Sequence, residues 1–267
     1  MRTAQVNGTE IAYSDDGPTD GVPVVLSHSL FFDHTMFAEL GALLVAAGHR
    51  VIAYDHRGQG ASAPGTPDSL TMDALTEDAA ALIRHLELGR VHVVGNSMGG
   101  FVALRLAARH PDLLISASAL GSSAEEEHQL AEFAPLVARL SEVGGGELVD
   151  TLMFIMFGDT SLAAGGPAIA TWRDFMTDLP PSIGTAAHGV IHRGSIVDEL
   201  AGCAVPVLAI AGTEDHAYPP PISDVNIAEA TGGRQVAVAA AGHSVSLEQP
   251  NEVAHHLLEH FAMSLAR

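Results

Sequence analysis

The hexapeptide Gly95-Asn96-Ser97-Met98-Gly99-Gly100 is where residue types and spacing most directly imply chemistry. It follows the apolar run Val91-His92-Val93-Val94 and opens a stretch rich in Ala and Leu, the order expected of a strand, a sharp turn and a helix. Gly-x-Ser-x-Gly at such a turn needs small flanking residues, because a strained backbone lifts the serine hydroxyl clear of the sheet. A hydroxyl alone is a weak nucleophile. It needs an imidazole to take its proton and a carboxylate to hold that imidazole, in the chain order Ser, Asp or Glu, His.

Both partners have candidates. The apolar run Val205 to Ala211 ends in Gly212-Thr213-Glu214-Asp215, which puts a carboxylate in the loop after a central strand. Asp215 is the candidate acid; Glu214 is the neighbour most easily mistaken for it, and a plain solvated loop carboxylate is the alternative to both. Val238 to Gly242 leads to His243, just before the final helix. With 15 histidines in the chain, only its position after the last strand singles His243 out from a surface loop histidine. The oxyanion of an acyl-transfer intermediate needs N–H donors. The Met98 amide, directly after Ser97, supplies one, and the Leu30 amide in Ser27-His28-Ser29-Leu30-Phe31 is assigned as the second.

Contacts to the rest of a substrate are sought at His28, Trp172, Arg173 and Arg193. Trp172, with Phe175 and Met176, has the composition of an apolar pocket wall, although helical spacing equally describes ordinary core. Arg173 and Arg193 are the cations nearest to hand for a substrate carboxylate, with a surface ion pair as the simpler reading of each. No metal ligation is expected: neither His-x-His-x-Asp-His nor His-Glu-x-x-His occurs, and His256 and His260 belong to a terminal amphipathic helix. Asp55-His56-Arg57-Gly58-Gln59-Gly60 reads as a structural turn.

Around these residues, short apolar runs alternate with stretches of helical period, which predicts an α/β fold with a mostly parallel eight-stranded sheet flanked by helices. Strands are expected at 5–6, 10–14, 22–27, 51–54, 91–95, 114–119, 207–211 and 235–239, the first two as a hairpin turned at Asn7-Gly8. Helices are expected at 36–47, 72–87, 98–109, 221–230 and 251–265. From about 125 to 200 the strand pattern stops and only helical segments remain. This predicts a lid (125–200) inserted between two parts of the core (1–124 and 201–267), over the sheet edge where open α/β sheets bind ligands.

At 267 residues, 47% of them hydrophobic, the chain suffices for one large domain. Its formal charge is -20, and all 12 basic residues are arginines. Such a field repels phosphate backbones and anionic lipid, so neither nucleic acid nor membrane is an expected partner. A homo-oligomer is allowed without being predicted. Cys203 is the lone cysteine, which excludes an internal disulfide. No signal-peptide or membrane-span pattern is found, so the expected location is the cytoplasm.

Leu26-Ser27-His28-Ser29-Leu30, Tyr54-Asp55-His56-Arg57-Gly58-Gln59-Gly60, Gly95 to Gly100, Ile196 to Leu200 and Ala241-Gly242-His243-Ser244 together give the chain its family likeness. From about residue 5 to 263 it resembles the α/β-hydrolase superfamily, and within it the serine-nucleophile branch of 3-oxoadipate enol-lactonases and related carboxylesterases. That branch has Asn-Ser-Leu-Gly where this chain has His28-Ser29-Leu30-Phe31. The resemblance implies an ester or lactone hydrolase that needs no cofactor and acts on a small molecule. A general carboxylesterase for open-chain esters, a slow-turnover ligand receptor and a cofactor-free oxygenase are the alternative uses of the same fold.

Overall fold

Asn7 and Gly8 both take positive φ (45° and 71°), turning β1 (Arg2–Val6) back onto β2 (Thr9–Asp16) with Val6 opposite Thr9. This hairpin forms one edge of the protein, whose structure, a computed structural model, describes residues 1–266. The other strands are β3 (Pro23–Ser27), β4 (Arg50–Tyr54), β5 (Val91–Asn96), β6 (Leu114–Leu120), β7 (Val207–Gly212) and β8 (Arg234–Val238). The eight form one sheet in the order β1-β2-β4-β3-β5-β6-β7-β8. β2 runs antiparallel to both neighbours, and every pairing from β4 to β8 is parallel. All eight strands fall where the hydrophobic runs put them. β5 and β7 are buried along their whole length, which is why they read as continuous apolar runs and not as alternation.

The helices are α1 (Ala38–Ala46), α2 (Met72–His85), α3 (Met98–Arg109), α4 (Leu130–Val143), α5 (Val149–Met156), α6 (Asp159–Ala164), α7 (Pro167–Thr177), α8 (Ile183–Ile191), α9 (Val197–Leu200), α10 (Val225–Thr231), α11 (Val245–Glu248) and α12 (Pro250–Leu265). α1 packs with α12 and α2 with α3, giving the two helical layers that cover the sheet. Thr71 Oγ1 caps α2 by accepting from the Ala74 amide (3.2 Å). α10 begins four residues later than the sequence periodicity suggests. The run Pro219-Pro220-Pro221 lacks the N–H groups a helix needs, and the helix starts only after Asp224, whose carboxylate accepts from the Val225 amide. Between β6 and β7 the described chain forms helices only, α4 to α9, with α4 against α8 and α5 against α7. No helix is long and apolar enough to cross a membrane.

Candidate active site

β5 and α3 meet at Ser97 with too little room for side chains on either flank. A Cβ on Gly95 would lie 2.0 Å from the Gly99 carbonyl oxygen, and one on Gly99 would lie 1.8 Å from the Ser27 carbonyl oxygen. Ser97 itself is held at φ 51°, ψ −113°, a conformation that costs a non-glycine residue about 1–3 kcal/mol and persists only where its surroundings enforce it. They do so here through two bonds: the Ser97 amide donates to the Leu120 carbonyl (2.8 Å), and the Ser122 hydroxyl donates to the Ser97 carbonyl (3.0 Å). The side chain stays 5% exposed at the floor of a cavity, and its hydroxyl makes no hydrogen bond to another described residue.

His243 lines the same cavity. Its Nδ1 faces both oxygens of Asp215 (3.1 and 3.0 Å), and the Asp215 Oδ1 is further fixed by the amides of Ala217 (2.8 Å) and Tyr218 (2.9 Å). With a carboxylate on Nδ1, the imidazole carries its proton there and leaves Nε2 as the free base. Glu214, the alternative carboxylate, points elsewhere: it accepts from the Thr160 amide and hydroxyl at the start of α6. Sequence reasoning missed three groups that fix the imidazole loop. Asn96 donates to the His243 carbonyl (2.9 Å) and accepts from the Ser246 hydroxyl (3.0 Å). Glu248 accepts from the Gly242 amide and from the Gly158 amide (both 2.9 Å), and burial pushes its carboxyl above the ordinary range. The Ser244 amide donates to the Met156 carbonyl (3.0 Å), so the loop carrying His243 is joined to the α5–α6 corner at several points.

The loop after β3 brings Leu30 to the cavity. The amides of Leu30 and Met98 have no hydrogen-bond partner among the described residues. His28, expected to touch substrate, is instead fully buried behind this loop. Its Nδ1–H donates to the Ser29 carbonyl (2.8 Å), and its Nε2 accepts from the His56 amide (2.9 Å). Those partners require the neutral ring, and burial lowers the imidazole's proton affinity in agreement. Carbonyl and N–H point oppositely across a trans peptide, so anchoring the Ser29 carbonyl aims the Leu30 amide the other way. Phe31, next in the loop, adopts φ 70° at the position where the enol-lactonase pattern has glycine.

The cavity measures about 500 Å³ including its open mouth, and its upper walls come from α4, α5 and α8. Three residues sought as substrate contacts lie off its wall. Trp172 packs edge-on against Phe32 (4.7 Å) and Phe175 (5.2 Å) as core. Arg173 is 43% exposed and pairs with Asp150 at the surface. The Arg193 side chain is wholly enclosed: Nη1 donates to Glu127 (2.9 Å) and to the Val190 carbonyl, Nε donates to the Glu125 carbonyl, and the guanidinium lies 4.1 Å over the Phe101 ring. Glu127, absent from the sequence-based candidates, does reach the cavity wall together with Tyr218, whose hydroxyl donates to it. Burial opposes the Glu127 charge, but Arg193 and the Tyr218 hydroxyl outweigh it and hold the carboxyl below the ordinary range.

A mostly parallel sheet whose central strand ends in a strained serine, sharing one cavity with a carboxylate-held imidazole, is the architecture of α/β-hydrolases. The chain belongs to the alpha/beta hydrolase family, whose sequence profile matches residues 24–256. Among solved structures, the enol-lactonase from Burkholderia xenovorans LB400 is similar at 29% identity with TM-score 0.87, over 98% of this chain and 100% of that one. A thermophilic esterase from Thermogutta terrifontis is similar at 27% identity with TM-score 0.88, over 98% of each chain. The curated 3-oxoadipate enol-lactonase 1 of Acinetobacter baylyi is 26% identical across 92% of this chain and 90% of its own length.

Proposed function

We propose that the chain is a serine hydrolase that cleaves a carboxylic ester or lactone through an acyl-enzyme on Ser97. The observation that carries this reading is the strained Ser97 sharing one cavity with an imidazole whose other nitrogen is held by Asp215. In the first half, a bond forms between Ser97 Oγ and the carbonyl carbon while His243 Nε2 takes the hydroxyl proton. The amides of Leu30 and Met98 donate to the oxygen that becomes negative. The bond from carbonyl carbon to alcohol oxygen then breaks, and His243 returns the proton to that oxygen. In the second half, water attacks the acyl carbon and gives a proton to His243. The acyl–Oγ bond breaks, Ser97 regains the proton, and a carboxylic acid leaves. A lactone releases its two ends as one molecule. Residues 125–200 act as a lid, between the core segments 1–124 and 201–267.

A fluorophosphonate probe should label Ser97, and Ser97→Ala should lose the label together with about 10⁴-fold or more of ester turnover, the scale at which triad members act. Full turnover by Ser97→Ala would exclude this mechanism. Comparing specificity constants for lactones and open-chain esters of matched acyl groups then separates a lactonase from a general esterase.

A further inference from the structure

We infer that the cavity selects esters and lactones whose acyl and alcohol parts carry no negative charge, and that the Glu127–Arg193 pair turns anionic substrates away. This rests on the serine-hydrolase reading above. The walls around Ser97 and His243 are hydrocarbon, from Phe133, Leu136 and Leu140 of α4, Ile155 of α5, and Val190 and Ile191 of α8. Apart from the groups that do the chemistry, the polar side chains on the wall are Glu127 and Tyr218, and these are bonded to each other.

Among the described residues, no arginine lines the cavity to receive a carboxylate. Every described arginine except Arg84 and Arg90 is paired with an acidic side chain, and those two engage His110 and the Leu114 carbonyl. The chain has no lysine. Arg193 lies behind the wall with its charge matched by Glu127. Its Nη2 has no partner but is enclosed by protein, so a substrate group reaches it only by displacing Glu127. A carboxylate entering this cavity would therefore lose its hydration, gain no counter-ion and meet the negative end of the Glu127–Arg193 pair. Methyl and methylene groups would lose only the cost of being in water.

Three 4-nitrophenyl esters of one acyl length test this: hexanoate, methyl adipate and adipate. The last replaces the terminal methyl of hexanoate by an ionised carboxylate, and methyl adipate controls for its bulk. The expected result is a kcat/KM for adipate about 100-fold below the other two, the scale set by burying an unpaired charge. Glu127→Gln leaves the Arg193 charge uncompensated beside the cavity and should raise the adipate-to-hexanoate ratio by about 10-fold, the size of effect a nearby charge produces. An adipate constant within about threefold of methyl adipate overturns the inference. So does failure to turn over hexanoate while a fluorophosphonate still labels Ser97. Full hexanoate turnover by Ser97→Ala is a different result: it removes the serine mechanism on which the inference stands.

Discussion

Asn96 spans the two halves of the site with a single amide. Its nitrogen donates to the backbone carbonyl of His243, and its oxygen accepts from Ser246, all three groups being buried. Asn96→Ala leaves a buried carbonyl and a buried hydroxyl unsatisfied, at about 1–3 kcal/mol for each stranded group. The expected outcome is a lower thermal midpoint and a kcat reduced by about 10-fold with KM little moved, because in the proposed mechanism an imidazole misplaced relative to Ser97 matters only as the proton transfers. Steady-state kinetics on a neutral ester reads this directly; an unchanged kcat would remove Asn96 from the machinery. The residue was hidden in the sequence for a simple reason. Asn96 occupies a variable position of Gly-x-Ser-x-Gly, and its partners lie about 150 residues away. Ser97, Asp215 and His243 stand out as candidates in the sequence because each follows a strand that periodicity reveals. Arg193, a candidate substrate contact with an ion pair as its simpler reading, forms that pair in the interior, where its neighbours Glu127 and Phe101 come from distant segments.

At the level of elements, the eight strands announce themselves through apolar runs punctuated by Gly, Pro and Asp. What the sequence could not display was how the helices between β6 and β7 would be fastened to the core. Glu248 is a main fastening, joining the Gly242 amide beside His243 to the Gly158 amide at the α5–α6 corner. A second tie joins Glu214 to Thr160, and it is exposed. Glu248→Ala should destabilise the protein by about 2 kcal/mol or more, as two buried amides lose their acceptor, and should reduce kcat as well. Glu214→Ala should cost less than about 1 kcal/mol, since water replaces its bonds. Thermal unfolding of the two variants side by side checks the ranking, and equal losses would count against the buried fastening.

For the molecule as a whole, acid should be the vulnerable direction, and imidazoles are the first reason. Burial drives His92 from an ordinary value of 6.5 down to about 3, and lowers His28 and His56 as well. Below pH 6.5 the unfolded chain binds protons at these rings while the folded chain does not. The stability they contribute is therefore present above 6.5 and lost progressively as pH falls toward 3. His34, raised by its bond to Asp55, works in the opposite direction, and the buried Glu127 adds its own loss at still lower pH. His92 alone should cost about 2 kcal/mol at pH 5, from roughly 1.4 kcal/mol per pH unit. Its ring already stacks on Phe261 at 4.0 Å, so His92→Phe keeps that stack; it strands the buried Ser116 hydroxyl and lowers the thermal midpoint at every pH, but should flatten the decline between pH 7 and pH 5.

Phe31 carries a different kind of consequence. Its ring forms part of the cavity wall, yet its backbone sits at φ 70°, where a bulky side chain is strained. Truncating a buried phenylalanine ordinarily costs about 3–5 kcal/mol. Here a glycine would recover about 1–3 kcal/mol of backbone strain as it removed the ring, so much of that loss would be returned. The position therefore couples substrate size to conformational ease. It offers evolution an unusually cheap path from a narrow cavity to a roomier one.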